Sequence, residues 1–155
     1  DRIWAGERSK NLLLAKNPTG ERALTLADVE LVDAIGKWEQ CGLLVYLNDD
    51  SFVKLVVEHI DGPHFVVMAQ EFDKKRIVLA KIEIPGNRAQ LRLEVDGDTV
   101  RGYWRLVENK SWHAAASTPS LDIETQRFGL FSQDGPREEK RFALIRQLSW
   151  NPVSE

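Results

Sequence analysis

Cysteine is almost missing from this chain. Cys41 is the single one among 155 residues, so no intrachain disulfide can form and a disulfide scaffold is excluded. Long apolar runs are missing too. None approaches the roughly 20 residues that span a bilayer as a helix, so no membrane partner is expected. Charge of one sign is not in excess: 21 Lys and Arg stand against 24 Asp and Glu, a net −3. Nothing basic calls for nucleic acid, and no acidic block marks a disordered tail. Histidine is scarce, with only His59, His64 and His113. Helical periodicity is absent over any long window. There are no internal repeats, linkers or low-complexity segments, and no nucleophile elbow, phosphate loop or dinucleotide fingerprint.

What is present is a succession of short runs rich in Val, Ile, Leu, Tyr and Trp. They fall at 12–15, 23–32, 42–48, 52–59, 64–71, 76–84, 89–96, 99–106, 127–132 and 142–149. Turn residues separate many of them: Asn48 to Ser51, Asp61-Gly62-Pro63, Pro85-Gly86-Asn87, Asp96-Gly97-Asp98 and Asp134-Gly135-Pro136. Many short strands with regular turn signals predict an all-β sandwich or barrel. The length fits one domain over 1–155 with enough chain to bury a core. The chain opens on Asp1, with no signal-like segment after it. A mature form, an excised domain and part of a longer chain all fit, so no compartment follows.

Two hairpins stand out. In Ala89 to Leu106, Leu91, Leu93 and Val95 alternate with Gln90, Arg92 and Glu94, and Asp96-Gly97 supplies the positive φ of a tight turn. The return strand sets Val100, Gly102, Trp104 and Leu106 on one face, which places Trp104 in the core. The second is Cys41 to His59, two apolar runs around Asn48-Asp49-Asp50-Ser51. Adjacent carboxylates are Ca²⁺ chemistry, but the spacing is no EF-hand, and Asn, Asp and Ser favour a turn. No cofactor is expected, and Ca²⁺ has no support beyond that pair. Cys41 reads as a small core residue. His59 and His64 straddle the Asp61-Gly62-Pro63 turn and could approach, though ordinary strand-end histidines fit better than a zinc pair.

Candidate site residues come from parity. Trp38, Gln40, Leu44 and Tyr46 point one way, Lys54 and Glu58 project with them from the next run, and Gln70 with Met68 is placed there on a third. Trp38 follows a Gly36-Lys37 turn and is expected to be exposed. Such a face can hydrogen-bond and stack against a saccharide, and a solvated outer face looks the same in sequence. Asp122 and Glu124 in "LDIETQ" would share a strand face, as paired carboxylates do in glycoside hydrolysis. Ser120 stands two before Asp122, where the first carboxylate of a Glu-x-Asp-x-Glu pattern would be, and "AAASTPSLDIETQ" reads as loop.

The motifs resemble the concanavalin A-like lectin/glucanase superfamily. Gln40 to Leu55 and the hairpin Leu91 to Asp98 carry that resemblance, with the late strand Gly129 to Gly135. They are most similar to the C-terminal domain of family 43 β-xylosidases and arabinofuranosidases, and to domain-of-unknown-function family 1349. The sequence departs from those domains at Val107-Glu108-Asn109-Lys110, which lacks an Asp-Gly turn but keeps Trp112, and in a shortened N-terminal strand. The resemblance implies a two-sheet antiparallel jelly-roll sandwich. It is compatible with an extracellular or periplasmic place and does not exclude the cytoplasm.

Three functions stay open at this point. The first is a non-catalytic carbohydrate-binding domain using Trp38, Gln40, Tyr46, Lys54, Glu58 and Gln70. The second is a glycosidase or lyase pairing Glu58 with Glu94 or Glu124, which the missing carboxylate motif disfavours. The third is a structural or protein-interaction module.

Overall fold

A computed structural model describes residues 11–16, 22–121, 125–133 and 142–152. Eleven strands account for most of them: β1 (Leu12–Lys16), β2 (Arg22–Val32), β3 (Gln40–Asn48), β4 (Ser51–His59), β5 (His64–Phe72), β6 (Lys75–Ile84), β7 (Arg88–Asp96), β8 (Thr99–Arg105), β9 (His113–Pro119), β10 (Arg127–Gln133) and β11 (Phe142–Pro152). No helix occurs among the described residues. Two antiparallel sheets form. The first runs β1-β10-β3-β4-β5-β6 and the second β11-β2-β7-β8-β9. The all-β, two-sheet antiparallel sandwich expected from the sequence is what is found.

Alternation builds the core. Cys41, Leu43 and Val45 of β3, with Val53, Leu55 and Val57 of β4, turn inward. They meet Ala27, Val29 and Leu31 of β2 and Leu91, Leu93 and Val95 of β7. Trp104 packs against this cluster, as its phase predicts. The other face of the first sheet carries a second apolar group of Leu44, Tyr46, Phe52, Val56, Val67, Ala69 and Phe131. Both faces of β4 are therefore buried along its whole length, which suits its near-continuous apolar character.

The turns follow their local chemistry. Asn48 pairs with Ser51, and Asn48 Oδ1 accepts from the Asp50 amide at 2.9 Å. Tyr46 donates to Asp49 Oδ1 at 2.8 Å, and Lys74 lies 3.7 Å from Asp50. The Asn48-to-Ser51 knot is a hairpin turn. In the next hairpin, Asp96 pairs with Thr99 and Gly97 alone takes a positive φ, 56°. The turn is thus centred on Gly97-Asp98, one residue later than Asp96-Gly97.

One strand was not legible. The stretch Ala114 to Gln126 reads as loop in sequence, yet His113–Pro119 forms β9 at the edge of the second sheet, paired to β8. Ala114, Ala115 and Ala116 have weak strand propensity and no large side chain to betray a buried face. The pairing with β8 supplies what propensity does not.

Candidate functional site

The first sheet's outer face holds a cavity of about 480 Å³. That is the size of an ordinary ligand site, about 300–1,000 Å³. Trp38, Gln40, Lys54 and Glu58 line it, four of the six residues that parity singled out. Val67, Ala69 and Val78 add apolar wall, with Gln133, Arg76 and Lys81 at other points of the lining.

Its polar floor is one hydrogen-bonded line across two strands. Gln40 and Glu58 are cross-strand partners. Lys54 Nζ donates to Gln40 Oε1 at 2.8 Å. Gln40 Nε2 donates to Glu58 Oε1 at 3.1 Å and to the Trp38 carbonyl at 3.3 Å. All three side chains are buried, at 2% exposure for Gln40, 4% for Lys54 and 7% for Glu58. Burying opposite charges is costly unless each is paired or hydrogen-bonded, and the Gln40 amide joins the two.

Trp38 sits on a pinned loop. Its backbone has φ 68°, in the left-handed region, and its amide donates to the His59 carbonyl at 2.8 Å. The buried Glu39 carboxylate accepts from the Ile35 and Gly36 amides. His59 Nδ1 meets the Gly36 carbonyl at 2.8 Å, a bond in which the ring nitrogen donates. Lys37 bridges to Asp61 at 2.8 Å and lies over the Trp38 ring at 5.3 Å. The indole remains 44% exposed at the cavity edge, as expected for it.

Two parity candidates lie elsewhere. Tyr46 is on the same face but outside the cavity, packed with Phe52 and Phe131 under the Arg127 guanidinium. Gln70 is on the opposite face, and its placement on the strip is corrected. His59 pairs with His64, so even-numbered residues of β4 lie opposite odd-numbered residues of β5. Ala69 therefore shares the face of Lys54, whereas Gln70 accepts a hydrogen bond from Thr118 of the second sheet and Met68 joins the core.

Arg76, Lys81 and Gln133 were missed for identifiable reasons. A bulge in β6 sets Ala69 opposite Val78 but Met68 opposite Ala80. Arg76, Val78 and Lys81 thus share a face although the last two are three positions apart, which simple alternation forbids. Gln133 enters because β10 pairs with β3, setting Gln133 beside Gln40. No local signal announces a partner that far along the chain.

A facing carboxylate pair is not formed by Glu58 and Glu94. Glu94 points outward from the second sheet, between the core residues Leu93 and Val95, and pairs with Arg92. The sandwich separates it from Glu58. Asp122 and Glu124 lie outside the described residues. Glu71 shares Glu58's face but is six registers away along the strands, about 20 Å.

The histidines do approach: the rings of His59 and His64 are 5.1 Å apart, tilted by 54°. Burial first, and then the charge of His59, hold His64 below its usual pKa of 6.5. His113 lies against Trp104 instead. Cys41 is fully buried, and desolvation pushes its thiol up to about 12.

Comparison with solved structures finds this architecture in longer proteins. A mutant of the GH43 protein BlXynB from Bacillus licheniformis superposes with a TM-score of 0.81 at 16% identity, over 94% of this chain and 30% of that one. The xylan β-1,4-xylosidase from Bacillus halodurans C-125 gives 0.78 at 15% identity, over 90% and 29%. A functionally unknown protein from Saccharomyces cerevisiae gives 0.73 at 16% identity, over 88% and 72%. This chain thus spans under a third of the two Bacillus proteins. These identities show a shared fold. No curated protein matches the chain. The model of the β-xylosidase C-terminal concanavalin A-like domain matches residues 32–145, most of the chain, and the chain belongs to that family.

Proposed function

We propose that this domain holds a saccharide in the cavity of the first sheet and carries no catalytic centre of its own. The observation that carries this reading is the Lys54–Gln40–Glu58 line, a buried set of donors and acceptors facing a cavity beside a half-exposed indole. A sugar ring presents hydroxyls at its edge and C–H groups on its face. The first match fixed amides and charges, and the second matches an aromatic or aliphatic wall. Trp38, Val67, Ala69 and Val78 supply that wall. No described carboxylate faces Glu58 across the cavity, which supports binding over hydrolysis. The share of the GH43 proteins that the chain spans supports an accessory role beside a catalytic domain.

Calorimetry against xylo-, arabino- and gluco-oligosaccharides tests the reading. Binding to at least one of these, weakened at least tenfold in Gln40→Ala, is expected. Absence of heat with the whole panel, together with no change in Trp38 fluorescence, would overturn it.

A further inference from the structure

The cavity is cationic in a molecule that is acidic overall. Among the described residues, Lys54, Arg76 and Lys81 line it, and Glu58 is the one carboxylate that does. Glu71 lies beside it and pairs with Arg76 at 3.4 Å. Even with Glu71 counted, the cations exceed the carboxylates by one among the described residues, while the whole chain carries −3. The excess resides on Lys81. Its ammonium lies 4.3 Å from the Phe65 ring centroid, and no ion pair joins it to a carboxylate among the described residues. Glu83, two residues on in β6, is outside the lining. A ring face steadies a cation without cancelling its charge. Lys81 and Phe65 thus set an unneutralised ammonium at the rim of a site whose floor is already built for hydroxyls.

Building on the saccharide reading above, we infer that the preferred ligand is an acidic sugar, a uronate. Its hydroxyls would meet the Gln40–Glu58 floor, and its carboxylate would meet Lys81 at the rim. A neutral sugar leaves Lys81 with nothing to bind, and a polyanion without a sugar ring leaves Trp38 and the apolar wall unused. A cationic sugar is opposed by the local charge.

Three probes in calorimetry test this: a xylo-oligosaccharide bearing glucuronic acid, the same molecule with its carboxyl reduced to the alcohol, and free glucuronate. The acidic oligosaccharide is expected to bind about two- to fivefold tighter than its reduced form, the worth of one partly exposed charge pair. The preference should vanish near 1 M salt, where screening reaches about 3 Å. Lys81 is exposed, so Lys81→Met should fold and bring the affinity ratio close to one, and Lys81→Arg should restore it. Free glucuronate binding as well as the oligosaccharide would place the whole recognition in one uronate residue and support the inference. Equal affinity for the acidic and reduced oligosaccharides would overturn it and leave the saccharide reading standing. Failure of all three to bind would overturn the inference, and the saccharide reading would then be decided by the neutral xylo-, arabino- and gluco-oligosaccharide panel.

Discussion

Lys54 shows how one buried side chain serves stability and site together. It is 4% exposed, its ammonium donates to Gln40, and the same Gln40 amide holds Glu58. Replacing it with Met keeps the length of the stem but removes the donor. Gln40 Oε1 loses this bond, and Glu58 stays buried without the opposite charge across the amide. Lys54→Met is expected to cost about 2–3 kcal/mol, the range for hydrogen bonds to charged groups, as a lower urea midpoint at unchanged slope. Adding Glu58→Gln should return part of that loss, because the leftover charge is then gone. An additive double mutant would mean that the two charges are not coupled. Cys41 makes the opposite case, a titratable group the fold keeps neutral. Burial raises its folded pKa from 9.0 to about 12. The unfolded chain gives up this proton first, so the stability is complete below about pH 9 and is lost as pH rises toward 12. Cys41→Ala should flatten the alkaline fall of Tm between those limits, and the native thiol should resist alkylation at pH 8 until the chain unfolds.

At the scale of elements, β1 is held by close contact with β10. A Cβ on Gly129 would stand 2.2 Å from the Leu13 carbonyl oxygen and 2.7 Å from Leu14 Cδ2. The nearest obstacle is backbone, which cannot rotate away. Gly129→Ala should therefore lift β1 off the sheet edge, costing about 1–3 kcal/mol. Amide exchange should accelerate in Leu12–Lys16 and stay slow in β4. The β4–β5 connection has its own pH response. His64 is held below its usual pKa, so charging it costs more in the folded state than in the unfolded chain. Its contribution is complete above about pH 6.5 and is lost as pH falls through the lowered folded value. Tm should drop on acidification in the parent and drop less in His64→Asn. These elements also show what the sequence could disclose. Period-two alternation placed Gln40, Lys54 and Glu58 on one face, and this holds because a bulge between Tyr46 and Asn48 shifts the pairing from Asn48 opposite Ser51 to Tyr46 opposite Phe52, so that even residues of both strands face each other. Gln70 went wrong at the next hairpin, where the longer turn sets odd residues opposite even ones. Lys81 was hidden by a bulge, and β9 by three consecutive alanines. For Gln70 and Lys81 the deciding quantity was a pairing register, which side-chain type does not encode.

The whole molecule is assembled from strands distant in sequence. β10 lies between β1 and β3, and β11 pairs with β2. Neither sheet is complete until the last strands are in place, and residues from both sheets meet in a single core cluster. Such long-range closure makes folding slow, in milliseconds to seconds, because loop closure precedes the contacts that reward it. It also ties the two sheets into one cooperative unit. Tryptophan fluorescence and far-UV circular dichroism are thus expected to change together in urea, with one midpoint. Separate midpoints would show that one sheet persists without the other. Removing residues 142–155 provides the sharper test. It takes away β11, including the Arg146–Glu30 pair at 2.6 Å, and leaves the eleven-residue β2 as a bare edge. A long unpaired edge is a template for intermolecular pairing. The truncated chain should lose the cooperative transition and elute as aggregate in gel filtration. A monomer with the parent midpoint would mean that β2 is held by β7 and the core alone.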